Sequence, residues 1–248
     1  MDFEIIDACA QLGSGDREGD LLESNISVER ILNNMNHAGV TKSVIYSVTY
    51  DDYGNGANEE VFKSIKKYSG RFIGFARLNP NSDNSKKILS NCIENLGFKG
   101  LRLRTFHDQI DLGSSKIKEI FNMAADYNIP IAVDGEKDKS NLVQLIEKYP
   151  KTSVILTHLG SFDNWDWKNT VYYIDLLKKV ENFFLVSCFI IIHAFLVEAI
   201  ENAPDKVIFG SDSPTLPPSM ELKRIETMKL DAEKYSNIVG GNLLRILS

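Results

Sequence analysis

Short apolar runs suited to buried strands alternate along the chain with stretches of helical period. A strand opens at residues 3–7 and runs on into 8–13. Ser27 suits an N-cap for a helix to about Ala38, with Glu29 and Arg30 in its first turns and Gly39 at its end. Residues 41–50 read as a second strand, 58–68 as a helix closed by Gly70, and 71–78 as a strand stopped by Asn79 and Pro80. Ser82 or Asn84 caps a helix to Asn95, and 98–104 is the next strand. Ser114 or Ser115 starts a helix reaching Tyr127. A strand over 129–134 follows, with Pro130 near its start, where a missing N–H is tolerated. The spacing then predicts a helix over 140–149, a strand over 153–158, a helix over 168–180 and a strand over 183–188. A further helix to Asn202 precedes a strand over 206–211, and helices fill the rest.

Eight strands, each followed by a helix, recur at about 25–35 residues, the size of a βα unit. The connections are too long for hairpins, so the strands pair in parallel. No linker, low-complexity block or repeat divides the chain, which makes 1–248 one domain. Eight such units predict a (β/α)₈ TIM-type barrel with its active site at the C-terminal ends of the strands. A doubly wound open sheet is the alternative, but no Gly-x-Gly-x-x-Gly follows the first strand.

Composition narrows the class. The 248 residues are 43% hydrophobic and 25% charged, which is ordinary for a globular protein. A net charge of −6 argues against nucleic acid as the main partner. Cys9, Cys92 and Cys188 are scattered and odd in number, so neither a disulfide framework nor a Cys-x-x-Cys metal site is expected. The opening Met1-Asp-Phe-Glu has no basic or apolar leader pattern. The longest apolar run, 183–200, is interrupted by Ser187, His193 and Glu198 and is too polar for a bilayer. A soluble cytoplasmic protein acting on a small molecule, with no membrane contact, is the expectation.

Polar residues collect where the strands end: Cys9 and Gln11, Tyr46 and Ser47, Arg77, Arg102 and Arg104, Asp134, His158, Ser187 and Cys188, and Asp212. In a barrel these positions share one mouth although they lie far apart in sequence. Asp212 follows a buried strand and Gly210, so its charged form needs a metal, a cation or hydrogen bonds. A plain cap for the next turn is the competing role. His158 has the residue type for general acid or base work, or for a packed core histidine. Arg102 and Arg104 lie two apart and face one side; they would grip a substrate carboxylate, or pair internally with Asp134 and Asp212. Among the other histidines, His37 reads as a surface or C-capping residue, His107 as a weak candidate for the mouth and His193 as packed in an apolar helix. Trp165 and Trp167 lie in an aromatic loop that would wall a pocket or cover the barrel edge.

Seven segments in order resemble the amidohydrolase superfamily, in its amidohydrolase-related branch: Ile5-Ile-Asp-Ala-Cys-Ala-Gln-Leu-Gly13, Gly74-Phe-Ala-Arg-Leu-Asn-Pro80, Gly97-Phe-Lys-Gly-Leu-Arg-Leu103, Ile129-Pro-Ile-Ala-Val-Asp134, Val154-Ile-Leu-Thr-His-Leu-Gly160, Val207-Ile-Phe-Gly-Ser-Asp-Ser-Pro214 and Gly240-Gly-Asn-Leu-Leu-Arg-Ile-Leu247. The resemblance implies a hydrolase, a lactonase or a nonoxidative decarboxylase, often dimeric. In that family a His-x-His pair usually ends strand one and a histidine ends strand five, around a divalent metal, commonly zinc. The matching positions here are Cys9, Gln11 and Asp134, while His158 and Asp212 are kept. Loss of three imidazoles removes donors that suit zinc. The resemblance therefore implies a metal-independent hydrolase of a small carboxylate-bearing lactone, ester or amide. Asp212 would be the general base on water, with His158 and the arginines stabilising the oxyanion. Arg102, Arg104, Tyr46 and Trp165 would bind the substrate. The alternatives are zinc or another divalent metal held by Cys9, Asp134, His158 and Asp212 in a hydrolase or decarboxylase, or a barrel that binds a small acid without catalysis.

Overall fold

Eight strands pair in chain order, each parallel to the next: β1 (Ile6–Leu12), β2 (Lys42–Ser47), β3 (Phe72–Arg77), β4 (Gly100–Leu103), β5 (Ile131–Val133), β6 (Val154–Leu156), β7 (Phe183–Val186) and β8 (Val207–Ile208). The structure, a computed structural model, describes residues 3–13, 26–49, 55–105, 108–134, 139–160, 167–190 and 192–248. Between the strands run α1 (Val28–Ala38), α2 (Asn55–Lys67), α3 (Ser85–Glu94), α4 (Ser115–Asp126), α5 (Lys139–Lys148), α6 (Trp167–Leu177) and α7 (His193–Asn202). After β8 come α8 (Pro218–Glu226), α9 (Ala232–Ser236), a π-turn at Asn237–Gly241 and α10 (Asn242–Leu247).

The chain beyond β8 returns to β1 and closes the ring. Ala8 N donates to Phe209 O at 3.0 Å, Asp212 N to Cys9 O at 2.9 Å, and Gln11 N to Ser213 O at 2.7 Å. The result is the (β/α)₈ barrel that the alternation predicts. Its main core lies between strands and helices, where one face of each helix is buried, such as Ile31 and Met35 of α1 or Leu142, Leu145 and Ile146 of α5. No described helix is long and apolar enough to cross a membrane.

Local chemistry explains the helix ends. Ser27 and Ser114 accept from Arg30 N and Ile117 N, each at 3.3 Å, so both act as N-caps. Gly39 takes a left-handed φ of 72°, and its N–H donates to the carbonyls of Met35 and Asn36 at the end of α1. Two strands depart from the sequence pattern. β1 starts at Ile6 and not at residue 3, because Phe3 is 40% exposed and packs against Tyr235 of α9; it runs to Leu12, buried although Asp7, Cys9 and Gln11 are polar. β8 keeps only Val207 and Ile208 in regular pairing with β7, since the following residues turn toward β1.

Candidate active site

The strand ends bring Cys9, Gln11, Tyr46, Arg102, Asp134, His158 and Asp212 into one connected polar cluster. Asp212 lies just beyond β8 with a left-handed backbone (φ 62°), a conformation that costs a non-glycine residue about 1–3 kcal/mol. Its Oδ1 accepts from Gln11 Nε2 at 2.5 Å and from Cys9 Sγ at 3.4 Å. Cys9 Sγ also meets the Tyr46 hydroxyl at 3.5 Å. Among the described residues every hydrogen bond of the Asp212 carboxylate falls on Oδ1, which leaves Oδ2 as the oxygen able to take up a proton.

His158 stands between two acids. Its Nδ1 is 3.6 Å from Asp134 Oδ1 and its Nε2 is 3.8 Å from Asp212 Oδ1. Both separations exceed hydrogen-bonding distance, so the attraction is that of ion pairs. Burial works to deprotonate the ring, but the two acids outweigh it and lift the pKa to about 10. His158 is thus an imidazolium at neutral pH. Burial raises the Asp212 carboxyl, yet His158, Gln11 and Cys9 together bring it below the ordinary carboxylate range. Asp134 also ends below that range, because Arg102 and His158 overcome its burial. Phe189 packs edge-on to the His158 ring with centroids 6.0 Å apart.

The arginines separate into different roles. Arg102 Nη2 donates to Asp134 Oδ1, which also accepts from Thr157 Oγ1 at 2.8 Å, so Arg102 adopts the internal pairing. Its guanidinium also lies 5.0 Å from the centre of the Tyr46 ring. Arg77 pairs with Asp108 at 2.7 Å and donates to Ser47 O and Thr49 O, tying strand ends together. Arg104 is 9% exposed and, among the described residues, its guanidinium makes no hydrogen bond or ion pair. Burial pulls its pKa down. Ser187 bonds Gly210 on the neighbouring strand and serves the fold.

Cys188 is buried at the end of β7, where burial first and then the nearby Cys9 push its thiol well up. His193 is exposed at the start of α7, not packed within an apolar helix as the sequence suggests, because α7 turns its first residues outward. His37 Nδ1 donates to Asn33 O at the surface, 2.8 Å away. Trp165 and His107 fall outside the described residues, while Trp167 is 55% exposed at the first position of α6. Asp7, absent from the sequence-level site, lies beneath Cys9 and is fully buried. Its place at the start of a strand gave no local signal of this.

A divalent metal fits these residues poorly. Gln11 presents its N–H to Asp212, and Arg102 sets a fixed cation against Asp134. Asp134 Oδ2 is a buried acceptor without a donor among the described residues, but one oxygen beside two cations makes no site. Among the described residues, no three His, Cys, Asp or Glu side chains gather as ligands.

A parallel barrel with ionisable strand ends converging on one mouth is the architecture of a barrel enzyme. The chain belongs to the amidohydrolase family, whose sequence profile matches residues 26–247. No curated protein matches the sequence. Among solved structures it is similar to 5-carboxyvanillate decarboxylase from Novosphingobium aromaticivorans complexed with manganese and 4-hydroxy-3-methoxy-5-nitrobenzoic acid. That pair shares 14% identity and a TM-score of 0.78, over 99% of this chain and 96% of that one. It is also similar to 2,6-dihydroxybenzoate decarboxylase complexed with 2,6-dihydroxybenzoate (14%, TM-score 0.75, 99% of each chain). A third is 4-oxalomesaconate hydratase from Rhodopseudomonas palustris (17%, TM-score 0.73, 98% and 95%). At these identities the likeness is one of fold.

Proposed function

We propose that the protein is a hydrolase of a small carboxylate-bearing lactone, ester or amide, working without a divalent metal, with Asp212 as general base. The observation that carries this reading is Asp212 held through Oδ1 by Gln11 and Cys9, with His158 Nε2 3.8 Å away. Water held at Oδ2 would lose a proton to Asp212 as its oxygen attacks the carbonyl carbon. The imidazolium of His158 would stabilise the negative charge that develops, and would then supply a proton to the leaving oxygen or nitrogen. Arg102 holds Asp134 and Tyr46 in place, and Arg104 binds the substrate carboxylate.

Asp212→Asn tests this. General base catalysis is worth about 10²–10⁴-fold, so turnover on a panel of lactones, esters and amides should fall by that amount while the variant stays folded. An Asn variant of full activity rules the scheme out. The decarboxylases among the structural neighbours favour a second reading, nonoxidative decarboxylation at the same mouth. Carbon dioxide release from aromatic carboxylic acids, without hydrolysis of any ester or lactone, would select it.

A further inference from the structure

Charge at the mouth balances in pairs, with one exception. Arg77 faces Asp108 at 2.7 Å, Arg102 is bonded to Asp134, and His158 lies 3.8 Å from Asp212. Asp7 is engaged elsewhere, bonded to Ser211 at the junction of β1 and the chain beyond β8. Arg104 alone lacks a carboxylate within 4 Å among the described residues, though it is nine-tenths buried. The groups that act on it electrostatically are Tyr46, Arg77, Asp134 and Asp108, and both acids are already paired with other cations. A buried guanidinium without a counter-ion is costly and calls for an anion.

We infer that the mouth takes a substrate with a single negative charge, a monocarboxylate whose carboxylate supplies the counter-ion of Arg104, and that it rejects dicarboxylates and uncharged analogues. A second carboxylate would find the other described cations of the mouth, Arg77, Arg102 and His158, already engaged. The inference rests on the hydrolase reading only for what becomes of the bound acid.

The test is binding to the whole protein, followed by thermal unfolding and calorimetry. The probes are acetate and benzoate, malonate and isophthalate, and benzamide, each against sodium chloride of equal ionic strength. Acetate and benzoate should raise the midpoint above the salt control, while the dianions and benzamide should not. Arg104→Gln should weaken benzoate at least tenfold. It should also raise the midpoint of the ligand-free protein by about 2–4 °C, because it removes an unanswered charge. A merely structural arginine would give the opposite sign. Arg104→Lys should keep part of the benzoate response. The inference is overturned if neither monoanion exceeds the salt control, if isophthalate equals benzoate, or if Arg104→Gln binds benzoate as the parent does. Should Arg104→Gln fail to fold, the anion panel on the parent protein still decides. Asp212→Asn should retain benzoate binding. Loss of turnover there alongside a failed anion panel would sink the monoanion and leave the base.

Discussion

Asp7 places a carboxyl group where a β1–β8 ladder bond would otherwise run. It accepts from Cys9 N at 3.0 Å, Ser211 N at 2.9 Å and Ser211 Oγ at 2.5 Å. Three donors favour the charged form, yet burial outweighs them and lifts the pKa from 3.8 to about 7. A folded pKa above the unfolded one means stability present below about pH 4 and lost as pH rises through about 7. The His158 contribution is present below about 6.5 and lost as pH rises through about 10. Asp134 and Asp212 run the other way, and their contribution is lost as pH falls through and below the carboxylate range. The thermal midpoint should therefore peak at about pH 4 and fall toward pH 7. Asp7→Asn keeps an acceptor for both amides and removes the decline between pH 4 and 7. At pH 8 the gain is on the order of 4 kcal/mol, at 1.36 kcal/mol per pKa unit. A midpoint that falls as steeply in the variant across that range would refute the assignment.

At the scale of elements, the turn after β6 sets the imidazole. His158, Leu159 and Gly160 have φ of 57°, 49° and 66°, three left-handed residues in succession. A Cβ on Gly160 would lie 2.4 Å from Tyr173 Cε2 of α6. Gly160→Ala should cost about 2–4 kcal/mol in denaturant unfolding, from the left-handed backbone plus overpacking. It should also shift the histidine ring out of line with Asp134 and Asp212, seen as a changed imidazole resonance. The sequence allowed the caps at Ser27 and Ser114 to be read because capping is local. It also showed His158 and Asp212 as polar residues closing apolar runs. The start of β1 at Ile6 is not legible, since Phe3 extends the apolar pattern but packs against Tyr235 outside the strand. Nor could the charge on His158 be read, since it is set by acids from the ends of β5 and β8, 24 and 54 residues away. The partner of Arg77 was hidden for the same reason, as Asp108 sits in a loop with no pattern of its own.

For the whole molecule, the first and last strands join through the isolated bridge of Ala10 and Ser213, and the C-terminal segment braces that junction. Phe209 N donates to Ile238 O of the π-turn at 2.9 Å. Asn242 Nδ2 donates to Pro204 O and Val207 O, each at 2.8 Å. Asn242→Ala leaves two carbonyls without donors and should lower unfolding free energy by about 2–3 kcal/mol. Hydrogen exchange should accelerate at the amides of Phe209 and Asp212 before those of β2 to β5. Equal acceleration around the ring would contradict the brace. The junction has a consequence for biosynthesis as well. Cys9 and Gln11 come from the first stave and Asp212 from beyond the last, so their meeting needs both ends of the cylinder. A nascent chain still short of residue 212 would carry its guanidinium groups and imidazole but no base. The site as a whole would assemble late, as the final stave emerges from the ribosome and docks.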